Sequence, residues 1–161
     1  MPEPKTTIIP QAAADRSVVW IEAVEAALDA HGDPELSARV MRAAGRQCAR
    51  QILGDCAEIL GKPVETVDEL LHAGNQRRMQ RHGMANLWER DGNRAHLKID
   101  ECACTLVRAG LAQPNPTHCL CSKGLMQELF EALCKGPVTV DMVKAVGHGD
   151  DVCEFIVTFE E

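Results

Sequence analysis

The sequence predicts an α+β domain, with helices packed on a small, largely antiparallel sheet. Apolar residues recur at helical spacing through the first half of the 161-residue chain. Strand-like alternation begins only after Asp91, and two β-rich runs near the end are joined by the Gly147–Asp151 turn segment. Helices first and strands late, with one more helix between them, is the order of an α+β rather than a βαβ chain.

Residues 1–14, with Pro2, Pro4 and Pro10 and no periodicity, read as a flexible N-terminal arm, and residues 15–161 as a single domain. From Arg16, the positions Val19, Trp20, Ala23, Val24, Ala27 and Leu28 predict a first helix that Gly32 closes. Asp33 then caps a second helix with Pro34 at its first position. Along it Val40, Ala44, Cys48, Ile52, Cys56 and Leu60 form an apolar stripe, so Cys48 and Cys56 read as core residues. Gly61-Lys62-Pro63 ends it. Residues 66–90 carry a third helical region that includes Val67, Leu70, Leu71, Met79 and Trp88.

Asp91-Gly92-Asn93 is a turn signal. The run from His96 to Val107 alternates as a strand would, which places Cys102 and Cys104 on one face. Gly110–Thr117, with Pro114 and Pro116, reads as a loop. Ser122 is the expected cap of a helix from Lys123 to about Cys134, whose apolar face is Leu125, Leu129 and Leu133. Gly136-Pro137 breaks it, and strands at 138–146 and 152–159 form a hairpin.

Composition narrows the function. With two Trp, three Phe, no Tyr and a net charge of −7, the chain lacks both the stacking and the cationic surface of a nucleic-acid binder. The basic run Gln76–His82 reads as a solvated helix face. No stretch approaches the ~18 consecutive apolar residues of a membrane span, and the first residues lack the layout of a secretory signal. A cytoplasmic protein with reduced thiols is expected. Its eight cysteines then point to metal binding or reactivity ahead of a disulfide framework.

The chemistry-bearing residues are clustered. Cys102-Ala-Cys104, His118-Cys119-Leu-Cys121, and Cys153 after Gly147-His148-Gly149-Asp150-Asp151 bring soft thiolates and imidazoles into one third of the chain. Such groups suit zinc, with Cys102, Cys104, Cys119 and Cys153 as the simplest tetrahedral set. An iron–sulfur cluster on Cys102, Cys104, Cys119 and Cys121 has the right ligand type, but the spacings match none of the usual cluster runs. Alternatively the thiols are free. Cys121, ahead of the expected helix start and near His118 and His148, is then the candidate nucleophile.

From Cys119 to Phe159 the sequence resembles the end of the 4-vinyl reductase family of small-molecule-binding domains. The resemblance rests on Cys119, Gly124-Leu125, Leu129-Phe130-Glu131, Gly136-Pro137-Val138-Thr139-Val140 and Gly149-Asp150-Asp151-Val152-Cys153-Glu154-Phe155. The two cysteine doublets are also similar to those of a bacterial branch related to L-2-amino-thiazoline-4-carboxylic acid hydrolase. The first resemblance implies an interior pocket for an apolar or aromatic small molecule, beside a zinc held by three Cys and one Glu. Cys119 and Cys153 match two of those ligands, whereas the other two positions are Ala145 and Met142, which cannot replace them. Two functions remain open: a small-molecule-binding domain with a cysteine-rich, zinc-binding site, or a thiol- or metal-dependent hydrolase of a small heterocyclic substrate. In either case the first helices would complete the pocket or form a homodimer face.

Overall fold

The computed structural model describes residues 10–31, 33–83 and 88–160, apart from the side chains of residues 81 and 82. In chain order the elements are α1 (Gln11–Ala30), α2 (Pro34–Leu60), α3 (Val67–His82), β1 (Trp88–Asp91), β2 (Arg94–Ile99), α4 (Thr105–Arg108) and α5 (Pro116–Glu131). There follow β3 (Thr139–Lys144), a 3-10 turn (Val146–His148) and β4 (Cys153–Thr158). The four strands form one antiparallel sheet in the order β1-β2-β4-β3, so the fold is α+β as expected.

Local chemistry explains most boundaries. The Asp33 carboxylate accepts from the backbone N–H groups of Glu35 and Leu36 with Pro34 at the first helical position, and Gly61 (φ 71°) closes α2. Thr66 caps α3 by accepting from Glu69 N–H, while the Glu69 carboxylate accepts from Glu65 N–H. Gly92, at φ 58°, turns β1 into β2 in the two-residue connection between the paired Asp91 and Arg94.

Several sequence expectations change. Gln11–Ala14, expected in the arm, belong to α1; residues 1–9 and Gly32, the expected helix terminator, lie outside the described residues. Trp88 is not helical but opens β1, where its ring packs edge-on against Phe130 at 5.6 Å. Cys56 is fully buried as its stripe predicts, whereas Cys48 is exposed. The strand expected through Val107 ends at Ile99. That residue pairs with Cys153, the first residue of β4, so beyond it the ladder has no partner strand. Residues 100–104 bend away and feed α4, which removes Cys102 and Cys104 from a common strand face.

The sheet's inner face presents Ala95, Leu97, Ile99, Phe155 and Val157, all nearly inaccessible. Against it lie Met126, Leu129 and Phe130 of α5 and Leu70 and Leu71 of α3. Phe130 also packs on Phe159 at 5.3 Å. The opposite face is polar, with Lys98 paired to Glu154 and His96 Nε2 2.9 Å from Glu154 Oε1. Among the described residues, no helix is long and apolar enough to cross a membrane.

Helices α2 and α5 cross with their backbones in near contact. A Cβ added to Gly45 would lie 1.9 Å from the carbonyl oxygen of Cys121, and one added to Gly124 would lie 2.2 Å from that of Arg42. Both obstacles are backbone, so neither can step aside. Gly45→Ala and Gly124→Ala should each cost about 3 kcal/mol, the upper part of the overpacking range, and lower the thermal midpoint by roughly 10 °C. Gly54, also in α2, has open space around its missing Cβ. Gly54→Ala should be neutral or stabilise by up to about 1 kcal/mol through helix propensity. Thermal unfolding of the three variants checks the contrast.

Candidate functional site: a buried thiol, imidazole and carboxylate

The site is built on the first turn of α5. Asn115 caps that helix through Oδ1, which accepts from His118 N–H at 2.8 Å, and Pro116 occupies the first helical position. Asn-Pro is a helix-start signal, and it places the start two turns ahead of Ser122, the expected cap. His118, Cys119 and Cys121 are therefore all helical. Cys121, expected just outside the helix, lies within its second turn, where its carbonyl oxygen meets Gly45 of α2.

Helix α1 docks on this turn through polar groups. Glu25 is only 5% exposed. Its Oε2 accepts from Asn115 Nδ2 at 2.6 Å, and its Oε1 lies 2.5 Å from His118 Nδ1. Thr117 Oγ1 donates to Asp29 one turn further along α1. A carboxylate withdrawn from water this far needs such partners, because unpaired it would be strongly destabilising. The other ring nitrogen, His118 Nε2, lies 3.3 Å from Cys104 Sγ. Three side chains from α1, α5 and the residue preceding α4 thus form a continuous line: Glu25, His118, Cys104. In type and order it is the carboxylate–imidazole–thiol arrangement that activates a nucleophile.

Electrostatics reinforce the geometry. Both nitrogens of His118 face acceptors, a thiol sulfur and a carboxylate oxygen, so the doubly protonated ring is the form that satisfies both. Its pKa is raised to about 9, first by the Cys104 contact and then, against the opposing effect of burial, by Glu25. Burial pushes the Cys104 thiol up. That effect is outweighed by the His118 hydrogen bond and by the N–H groups of Val107 and Leu106, so its pKa is lowered overall. Cys104 is only half-buried and remains reachable. A thiolate–imidazolium pair with one accessible sulfur is the resting form this arrangement favours.

The remaining candidates divide differently. Cys121 is pushed up to about 12, chiefly by burial and then by the nearby Cys104 and Cys48, which makes it a poor nucleophile at neutral pH. His148 sits exposed on the 3-10 turn. Cys119 is buried, its sulfur 2.5 Å from where a Cβ on Gly147 would stand, and burial raises its pKa. Interaction with Cys153 raises the Cys102 thiol, and interaction with Cys102 lowers that of Cys153, whose sulfur also accepts from Val146 N–H at 3.5 Å.

The sequence-predicted thiols therefore converge, yet among the described residues no group of three or more His, Cys, Asp or Glu side chains is arranged to hold a metal ion. Ala145 is fully buried before the 3-10 turn, and Met142 pairs with Phe155 on β3, so neither position offers a replacement ligand. The side chains present therefore do not supply the three Cys and one Glu that hold zinc in the resembling family. The two residues missed by sequence reasoning are Glu25 and Asn115. Glu25 had a signal: with Ile21 and Leu28 it occupies i, i+4 and i+7 of one helix face, a charge where an apolar residue is expected.

Two spaces adjoin these elements. An apolar cavity of about 40 Å³ is enclosed by residues that include Ile52, Leu71, Trp88, Leu125, Leu129 and Phe130. An open groove of about 940 Å³ runs between α1 and α4, lined by Val19, Trp20, Ile21, Ala23, Leu106 and Leu111 among others. Val19 and Trp20 are 67% and 68% exposed. Leu106 links groove and thiol, since it lines the first and its backbone N–H helps to lower the second.

The sequence from residue 8 to 161 matches the model of a family of unknown function, DUF6144, and the chain belongs to that family. No curated protein matches it. Among solved structures it is similar to a trafficking protein particle complex subunit 3 from Naegleria fowleri, covalently bound to palmitic acid. That likeness has a TM-score of 0.59 at 12% identity and covers 92% of this chain and 95% of the other. A vinyl-4-reductase family protein from Methanocaldococcus jannaschii matches with a TM-score of 0.43 at 12% identity, over 98% of this chain and 85% of that one. The first likeness shows a shared fold. The amino-thiazoline hydrolase branch finds no support in them.

Iodoacetamide should alkylate Cys104 before the other cysteines at pH 7. Because the thiol pKa is lowered, its rate should level off at a lower pH than that of an ordinary cysteine. His118→Ala removes the lowering contact and should slow alkylation at pH 7 by about tenfold or more. Mass mapping of the labelled cysteine against pH checks both outcomes.

Proposed function

We propose that this chain binds a small apolar acyl compound and that Cys104 is the group that reacts with it, as a thiol acyl acceptor. The observation that carries the reading is the Glu25–His118–Cys104 line, with 2.5 Å and 3.3 Å separations and a half-buried sulfur at its end. The apolar groove beside α4 supports an acyl chain as the ligand class, since Leu106 both lines it and, through its backbone N–H, helps to lower the Cys104 thiol. The palmitic acid bound covalently by the trafficking subunit supports it too, as an acyl group held by a protein of similar fold.

The chemistry follows from the arrangement. The Cys104 thiolate attacks the carbonyl carbon of an ester or thioester, and a carbon–sulfur bond forms. The bond to the leaving group breaks, and that group takes the proton from His118 Nε2. Glu25 holds the ring in orientation and favours its charged form. Neutral His118 then removes a proton from water, the hydroxide attacks the thioester, and carboxylic acid is released with the thiolate–imidazolium pair restored. If the second half is slow, the protein is an acyl carrier; if fast, a thiol hydrolase.

Intact-mass spectrometry after incubation with p-nitrophenyl esters of increasing chain length tests this reading. The expected result is a single acyl adduct on Cys104, formed faster with decanoate than with acetate and slowed about 100-fold or more in Cys104→Ser. Cys121→Ser should leave it unchanged. An adduct that maps to Cys121 or spreads over several cysteines would sink the assignment.

A further inference from the structure

We propose that Asn115 is a positioning residue: its side-chain amide aims the Glu25 carboxylate at His118, and so acts on Cys104 through two other side chains. The inference rests on the Glu25–His118–Cys104 line proposed above, though not on acyl transfer. Three hydrogen bonds close a ring around that carboxylate. Asn115 Oδ1 accepts from His118 N–H at 2.8 Å, Asn115 Nδ2 donates to Glu25 Oε2 at 2.6 Å, and Glu25 Oε1 lies 2.5 Å from His118 Nδ1. Because Asn115 holds one oxygen of this buried carboxylate, the other is directed at the imidazole.

The backbone sets the orientation of the amide. Asn115 lies between Pro114 and Pro116, and a residue that precedes proline is kept out of the helical region. It is accordingly extended, at φ −145° and ψ 165°, as the cap of a helix should be. The cap then decides which end of the amide faces where. With Oδ1 on His118 N–H, Nδ2 is left for Glu25, and its second hydrogen reaches the Gln113 carbonyl at 3.3 Å. A flipped amide would set donor against donor and oxygen against carboxylate. Asn, Asp and Ser cap helices about equally well. Asp, however, has no donor to offer a carboxylate, and Ser is too short to reach both His118 N–H and Glu25. Capping alone does not require Asn here; aiming Glu25 does.

The test is the pH profile of Cys104 alkylation by iodoacetamide, read by mass mapping of the intact protein, beside thermal unfolding. Asn115→Ser keeps a cap and removes the amide. It should stay folded, slow alkylation of Cys104 at pH 7 by about threefold to tenfold, and move the point where the rate levels off to higher pH. Asn115→Thr, a second cap without the amide, should do the same. In a Glu25→Gln background the Ser substitution should change the rate by less than about 1.5-fold, because the charge that Asn115 aims is gone. An equal slowing with or without the Glu25 carboxylate would overturn the proposal. So would cap variants that both fail to fold, since the bond would then be structural. A profile lowered in the wild type but untouched by both cap variants would sink the positioning role alone. A wild-type Cys104 that reacts like an ordinary cysteine would sink the line above as well.

Discussion

The backbone contact between α2 and α5 is the constraint on which the rest of the structure depends. With hydrogen in place of a side chain at Gly45 and Gly124, the two helices approach until carbonyl oxygens of one fill the space beside the other. That contact fixes α5, and α5 has two duties. Its second half carries Met126, Leu129 and Phe130 into the sheet, where Phe130 meets both Trp88 and Phe159. Its first turn carries Asn115, Thr117 and His118 to α1. A wider crossing would loosen the core and move the imidazole from the thiol together.

Burying Glu25 couples stability to chemistry. Helix α1 contributes little to the apolar core and leaves Val19 and Trp20 facing outwards. Its attachment is mainly polar, through Glu25 and Asp29 to the start of α5, with Ser37 Oγ of α2 donating to the Leu28 carbonyl. A buried carboxylate must be paired, and here the pair is an imidazole that also faces a sulfur. The same contacts that hold α1 in place therefore bias His118 towards its charged form and Cys104 towards thiolate. Because α1 also lines the groove, docking of that helix and shape of the groove are one event.

Much of this was legible from the residues and some was not, for identifiable reasons. The caps at Asp33-Pro34, the stop at Gly61, the Asp91-Gly92-Asn93 turn and the last two strands are local signals, and they hold. The end of β2 is not local. Cys102 and Cys104 alternate as a strand would, but the strand lasts only as long as β4 lies beside it. The start of α5 is also a local signal, but Asn115-Pro116 sits in a proline-containing stretch that reads equally as loop. A helix start at Ser122 would leave Cys121 just outside the helix, as a candidate nucleophile. Its neighbours in sequence are the right ones, yet burial disfavours its thiolate while Cys104, fourteen residues before His118, takes the imidazole. Glu25 lies ninety-three residues from His118, and only its place among apolar neighbours marked it.

The site depends on His118 being positively charged at neutral pH because a thiolate and a carboxylate flank it. Nitrogen chemical shifts of its ring, followed by NMR across a pH titration, measure this directly. The predicted result is a ring protonated on both nitrogens at pH 7, losing its proton only near pH 9, with the transition moving down in Cys104→Ser. A ring that is neutral at pH 7 and titrates at the ordinary value of about 6.5, with or without Cys104, would contradict it.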